Sequence, residues 1–273
     1  MGEVIVITSG KGGVGKTTTT VNIGCALAMA GKKTILLDAD IGLRNLDVVM
    51  GLDDKVVYDF LDVIEGRCHL RQAVIEDKRN KNLFMLAASQ TGDKSDVELS
   101  KIKKLCDELR EQYDYVLIDC PAGIEQGFDN AVGAAERAIV VVTPEYSSIR
   151  DADRILGKLE DVDMENVGLL INRVRPNLIR RGQAPGTDEI IEILATDLIG
   201  IVPDDEEVII CANKGKIVTS NGKGKAAVAY KNIAARIMGN TMPLADLEDD
   251  GSLRYKIKRI FRKKNTGVYF SVN

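Results

Sequence analysis

Residues Gly10–Thr17 read GKGGVGKT, between VIVIT (Val4–Thr8) and TTTVNIGCALAMA (Thr18–Ala30). The octapeptide meets every fixed position of GxxxxGK[ST], the pattern of a loop that cradles phosphate. VIVIT has the apolar, β-branched character of a buried strand, and the segment after the loop reads as an amphipathic helix. Gly10, Gly12, Gly13 and Gly15 allow backbone conformations closed to residues with a Cβ. Their N–H groups, with those of Val14 and of Lys16–Thr18 at the start of the helix, then converge on an anion. In such a loop Lys16 reaches the β- and γ-phosphates and the Thr17 hydroxyl ligates Mg2+. The competing reading, a glycine-rich turn with chance charges, does not account for the strand before it and the helix after it.

Two further features surround this loop. Lys11 follows the first glycine, although Lys16 already serves the phosphates. An ammonium at that edge is placed to act in trans on charge developing at a second subunit's nucleotide, as an arginine finger does. Acidic residues close two apolar runs: YVLID ends in Asp119, and ILLDAD carries Asp38 and Asp40. Strand C-termini are where open α/β sheets bind ligands. Asp119 is therefore expected to hold Mg2+ and Asp40 to orient the attacking water, with Asp38 a structural neighbour. Asn172, at the end of LLIN, is placed to pair with the N6 and N7 edge of adenine. A guanine-reading NKxD is absent there, since Arg173 and Val174 follow, so ATP is the expected nucleotide.

Outward from the loop, short apolar runs alternate with longer helical patterns, as in βαβ units. Strands are expected at 3–8, 34–38, 83–87, 115–119, 138–143, 167–171 and 198–202. Helices are expected at 16–30, 97–112, 148–159, 188–195 and 225–238. The fold class is α/β: a doubly wound, mostly parallel sheet flanked by helices, as in P-loop NTPases, with a C-terminal basic amphipathic helix. The expected organisation is an ATPase domain at 1–243, an acidic connector at 244–251, and a helix with its tail at 252–273. The chain has 273 residues, 45 % of them hydrophobic and 29 % charged, which is an ordinary globular composition. No apolar run approaches the ~18–20 residues of a membrane span, and the N-terminus lacks the features of a secretory signal. Five cysteines without a CxxC pair argue against a disulfide frame or a zinc site. His69, the only histidine, has no partner pattern.

Charge is unevenly spread. Net charge is −4, yet seven basic residues lie between Arg254 and Lys264 and no acid follows Asp250. Leu253, Ile257, Ile260 and Phe261 fall at i, i+4, i+7 and i+8, one stripe of a helix whose remaining positions are largely basic. A basic amphipathic helix reads as an interfacial anchor for anionic lipid. One copy is marginal, because ordering the chain offsets the apolar burial; two copies joined in a dimer bind far more tightly through effective concentration. A nucleic-acid arm is the rival reading, with less need of an aligned apolar stripe.

The KGGVGKT loop resembles that of the deviant Walker A ATPases, nucleotide-sandwich dimers that include chromosome-partitioning and cell-division positioning proteins. IGLRNLDVVMGL, LFMLAASQT, DCPAGIE and TPEYSSIRDADRI, with the basic terminal helix, resemble within that group the septum-site-determining MinD family. The resemblance implies that Lys11 is the signature lysine, that Asp40 lies in the first switch loop, and that Pro203 belongs to an adenine-contacting loop. CPAGIEQG, with Gly123 and Gly127, becomes the second switch. It further implies an ATP-dependent homodimer in the cytoplasm and on the inner membrane face. That dimer recruits the division inhibitor MinC and responds to MinE or a substitute, with Ser148, Asp151 and Asp153 on the partner-docking surface. Ser148 also suits an N-cap and Asp151 a first-turn acid. The alternative is a partitioning ATPase whose tail binds DNA.

Overall fold

The computed structural model describes residues 1–90, 97–124, 126–222 and 224–244. The expected stripe Leu253, Ile257, Ile260 and Phe261, and the connector beyond Leu244, lie outside the described residues.

In chain order the strands are β1 (Glu3–Thr8), β2 (Thr34–Asp38), β3 (Ile75–Glu76), β4 (Leu83–Leu86), β5 (Tyr115–Asp119), β6 (Arg137–Val142), β7 (Val167–Val174) and β8 (Leu198–Pro203). The helices are α1 (Lys16–Met29), α2 (Leu46–Met50), α3 (Phe60–Ile64), α4 (Leu70–Ala73), α5 (Leu99–Gln112) and α6 (Gln126–Gly133), then α7 (Tyr146–Glu160), α8 (Pro176–Arg180), α9 (Thr187–Leu194), α10 (Glu206–Ala212), α11 (Val218–Asn221) and α12 (Lys225–Ile237). They enclose one sheet ordered β3-β4-β2-β5-β1-β6-β7-β8, parallel throughout except where β3 runs against β4.

Strand residues alternate between two cores. Val4 and Val6 join one and Ile5 and Ile7 the other. The first core is covered by α3–α7 and α9, the second by α1, α2 and α10–α12. Continuous Val/Ile/Leu strands follow from burial on both faces. α5 shows the corresponding helical logic, burying Ile102, Leu105, Cys106 and Leu109 at i, i+3, i+4 and i+7. The chain order reverses at β1, which has β5 on one side and β6 on the other. The loop after β1 therefore opens at the crevice where such sheets bind ligands.

Every expected strand is present. The two-residue β3 and the short helices α2–α4, α8, α10 and α11 were not foreseen, being too brief to show a period. α7 begins at Tyr146 rather than Ser148, with Glu145 as its first flanking residue.

Candidate functional site

Gly15 takes φ +95 at the N-cap of α1, and Gly13 φ +79. Both angles are in the left-handed region, which turns the loop's N–H groups inward. No side chain caps α1, so its first N–H groups face the crevice with the positive end of the helix dipole behind them.

Beneath the loop, three residues of α1 converge on the last residue of β5. Thr17 Oγ1 donates to Asp119 Oδ2 at 2.6 Å, Thr20 Oγ1 donates to Asp119 Oδ1 at 3.2 Å, and Lys16 Nζ lies 3.6 Å from Asp119 Oδ1. All of Asp119 is buried. Burial raises its carboxyl above the usual carboxylate range, opposed by the Lys16 ammonium and the hydroxyls of Thr17 and Thr20. Asp38 pairs with Asp119 in the β2–β5 register. Burial, reinforced by the charge of Asp119, pushes Asp38 up to about 7. Its two oxygens accept from Asp40 N at 3.0 Å and Leu46 N at 3.2 Å, so Asp38 holds both ends of the loop that carries Asp40. Asp40 is itself buried beside this group.

This donor set fits Mg2+. Three buried carboxylates face one ammonium, and a hydroxyl and a carboxylate meet at a single point. Among the described residues no three acidic, His or Cys side chains form a metal cage. That suits an ion whose remaining ligands are phosphate oxygens and water.

Lys11 extends away from Asp119, toward the start of α7. Its Nζ lies 3.4 Å from Glu145 Oε2 and donates to Ser147 Oγ at 3.1 Å. α7 also touches the loop directly: a Cβ on Gly10 would lie 2.1 Å from the Asp151 carbonyl oxygen. Gly10 is thus required for packing against α7, a need the motif does not announce. Asp151 is half-buried and Asp153 exposed.

Ser148 corrects two expectations. It does not cap the helix, since Glu145 holds that position, and it is 3 % exposed, so it presents no docking surface. Its Oγ accepts from Thr143 N at 3.1 Å and fixes the turn between β6 and α7.

Asn172 Nδ2 donates to the Val14 carbonyl at 2.8 Å, fastening β7 to the phosphate loop. The amide therefore has a structural duty beyond the expected contact with base. Pro203 ends β8 and is half-buried. Cys120, next to Asp119, is buried and its thiol is pushed up to about 12 by that burial, so it is inert. His69 is the flanking residue at the start of α4.

Residues 2–171 match a family model described as an AAA domain. Over 264 residues the chain is 53 % identical to the septum site-determining protein MinD of Bacillus subtilis, across 96 % of this chain and 98 % of that one. A MinC:MinD cell division protein complex from Aquifex aeolicus contains a chain 45 % identical, with a TM-score of 0.84 over 89 % of this chain and 98 % of that one. Septum site-determining MinD from Pyrococcus horikoshii, complexed with Mg-ADP, is 28 % identical, with a TM-score of 0.77 over 87 % and 96 %. A phosphate loop backed by a buried Thr–Asp–Lys cluster, on this sheet and with these relatives, places the chain in the septum site-determining MinD family of P-loop ATPases.

Proposed function

We propose that this ATPase binds ATP with Mg2+ between two copies of itself, and that the dimer regulates septum placement from the inner face of the cell membrane. The observation that carries the reading is the convergence of Lys16, Thr17 and Thr20 on Asp119 beneath an open glycine loop. Loop N–H groups from Gly10 to Thr18 and the Lys16 ammonium hold the triphosphate. Thr17 and Asp119 hold the cation, which neutralises charge on the β- and γ-oxygens when bound. Asp40 orients the attacking water, its position set by the two hydrogen bonds to Asp38. Asn172 and Pro203 receive the adenine.

Lys11 leaves Glu145 and Ser147 and reaches the partner copy's phosphates, where its charge counts most in the transition state. Residues 1–243 form the ATPase domain, 244–251 a connector, and 252–273 the membrane-binding segment, with Leu253, Ile257, Ile260 and Phe261 as its apolar stripe. Among the described residues no helix is long and apolar enough to cross a membrane, so residence on lipid depends on this amphipathic segment. The start of α7, with Asp151 and Asp153, docks the division inhibitor MinC; MinE or a substitute stimulates turnover. The likeness to the MinD chain of the MinC:MinD complex supports that assignment.

Sedimentation with anionic liposomes in ATP and in ADP tests the reading. Pelleting in ATP and release in ADP is expected, with Ile260→Glu staying in the supernatant while still forming a solution dimer. Pelleting that ignores the nucleotide counts against it, and ATP-dependent retention on DNA instead of liposomes would favour the partitioning alternative.

A further inference from the structure

Asn172 and Arg173 are consecutive residues of β7, and a regular strand sends successive side chains to opposite faces. Here both lie beside the same glycine. A Cβ on Gly15 would lie 2.4 Å from Asn172 Nδ2 and 4.0 Å from Arg173 Nε. A kink brings this about: Arg173 has φ +54, and the register of β7 on β8 shifts between Ile171 and Val174. The left-handed region is disfavoured for any residue with a Cβ, and a bulge re-aims a side chain at the cost of regular pairing.

The side chain so placed is not consumed by the protein. Arg175, two residues on, pairs with Asp204 at 2.6 Å, whereas Arg173 is exposed and has no hydrogen bond or ion pair among the described residues. Its charge reaches the hydroxyl of Tyr230, which lies 3.4 Å from Thr19 Oγ1 where α12 packs on α1. The guanidinium therefore sits at the end of the phosphate loop, flanking the crevice on the side of Asn172. The phosphates are already served by Lys16, and no protein anion offsets this second cation. A planar, weakly hydrated guanidinium in that position suits the face of an aromatic ring.

We infer that Arg173 is a base-binding residue, its guanidinium laid on the face of the purine while Asn172 addresses the ring's edge. The inference rests on the ATP-binding reading above.

Calorimetric titration of the full chain with MgATP, MgADP and inorganic tripolyphosphate tests it. Arg173→Ala is expected to weaken both nucleotides by about three- to tenfold and leave tripolyphosphate unchanged. Arg173→Lys should match Arg173→Ala, because an ammonium has no plane to stack. Arg173→Gly, which relieves the left-handed conformation, should lose the same nucleotide affinity with an unfolding midpoint no lower than wild type. Equal weakening of tripolyphosphate, with rescue by lysine, would move the contact to the phosphates and overturn the inference. Unaltered nucleotide affinity in the alanine or glycine variant overturns it too, while the nucleotide site itself stands. A wild-type chain that binds none of the three ligands would remove both readings together.

Discussion

At the scale of single residues, buried charge governs behaviour. Lys16 is the one ammonium facing Asp119, and Asp38 and Asp40 are close by. Lys16→Ala should abolish ATP-driven dimerisation, since γ-phosphate charge would then stand uncompensated at the joint; sedimentation velocity with a nonhydrolysable analogue reads this directly. Asp38 also predicts a pH dependence. Its carboxyl moves from an ordinary 3.8 to about 7 on folding, so the folded state takes up a proton. That contribution to stability is complete below the lower value and is lost as pH rises through about 7. Urea denaturation of the nucleotide-free protein should therefore show stability falling from about pH 5 to 8, with a shallower fall in Asp38→Asn.

At the scale of elements, a few polar groups decide how helices meet the sheet's upper edge. Asp205 is the clearest. One carboxylate oxygen accepts from Glu207 N at 3.1 Å at the start of α10, and the other accepts from Ala226 N at 3.1 Å at the start of α12. Asp205→Ala removes two caps at once and should cost about 1–3 kcal/mol in chemical denaturation, with nucleotide affinity nearly unchanged. α7 is held differently, by Gly10 against Asp151 and by the buried Ser148 hydroxyl on Thr143. Gly10→Ala drives a Cβ into a backbone carbonyl, and α7 must move. Expected effects are a loss of about 1–3 kcal/mol in stability and weaker capture of MinC in a pull-down.

At the scale of the whole molecule, strand order does the assembling. β1 lies between β5 and β6, and β2 lies beside β5. This brings Asp38, Asp40, Asp119 and the phosphate loop to one edge although they span about a hundred residues. Parallel strands place all these carboxyl ends together, and two buried faces keep the edge stiff. In the proposed cycle, dimerisation by ATP precedes hydrolysis. Asp40→Ala should then pair and stay on anionic liposomes while turnover falls by tenfold or more, about 10²–10⁴-fold being the usual range for a group that positions or activates a nucleophile. Release at the wild-type rate would contradict the role given to Asp40.

The sequence by itself determined what contiguous residues require. Gly10–Thr17 specify a phosphate loop because four glycines, a lysine and a threonine satisfy its conformation and charge within eight positions. VIVIT and YVLID read as buried strands because both their faces are apolar, and β1, β2 and β5 have the bounds expected. Only the tertiary structure decided what depends on approach between distant segments. The Asn172 amide on Val14, the Asp151 backbone against Gly10 and the burial of Ser148 follow from strand order and the β6–α7 turn. The turning of Arg173 to the side of Asn172 follows from a bulge and one left-handed residue. Such contacts leave no period or motif in the chain, since each joins groups 141 or more residues apart or reverses a side chain within one residue.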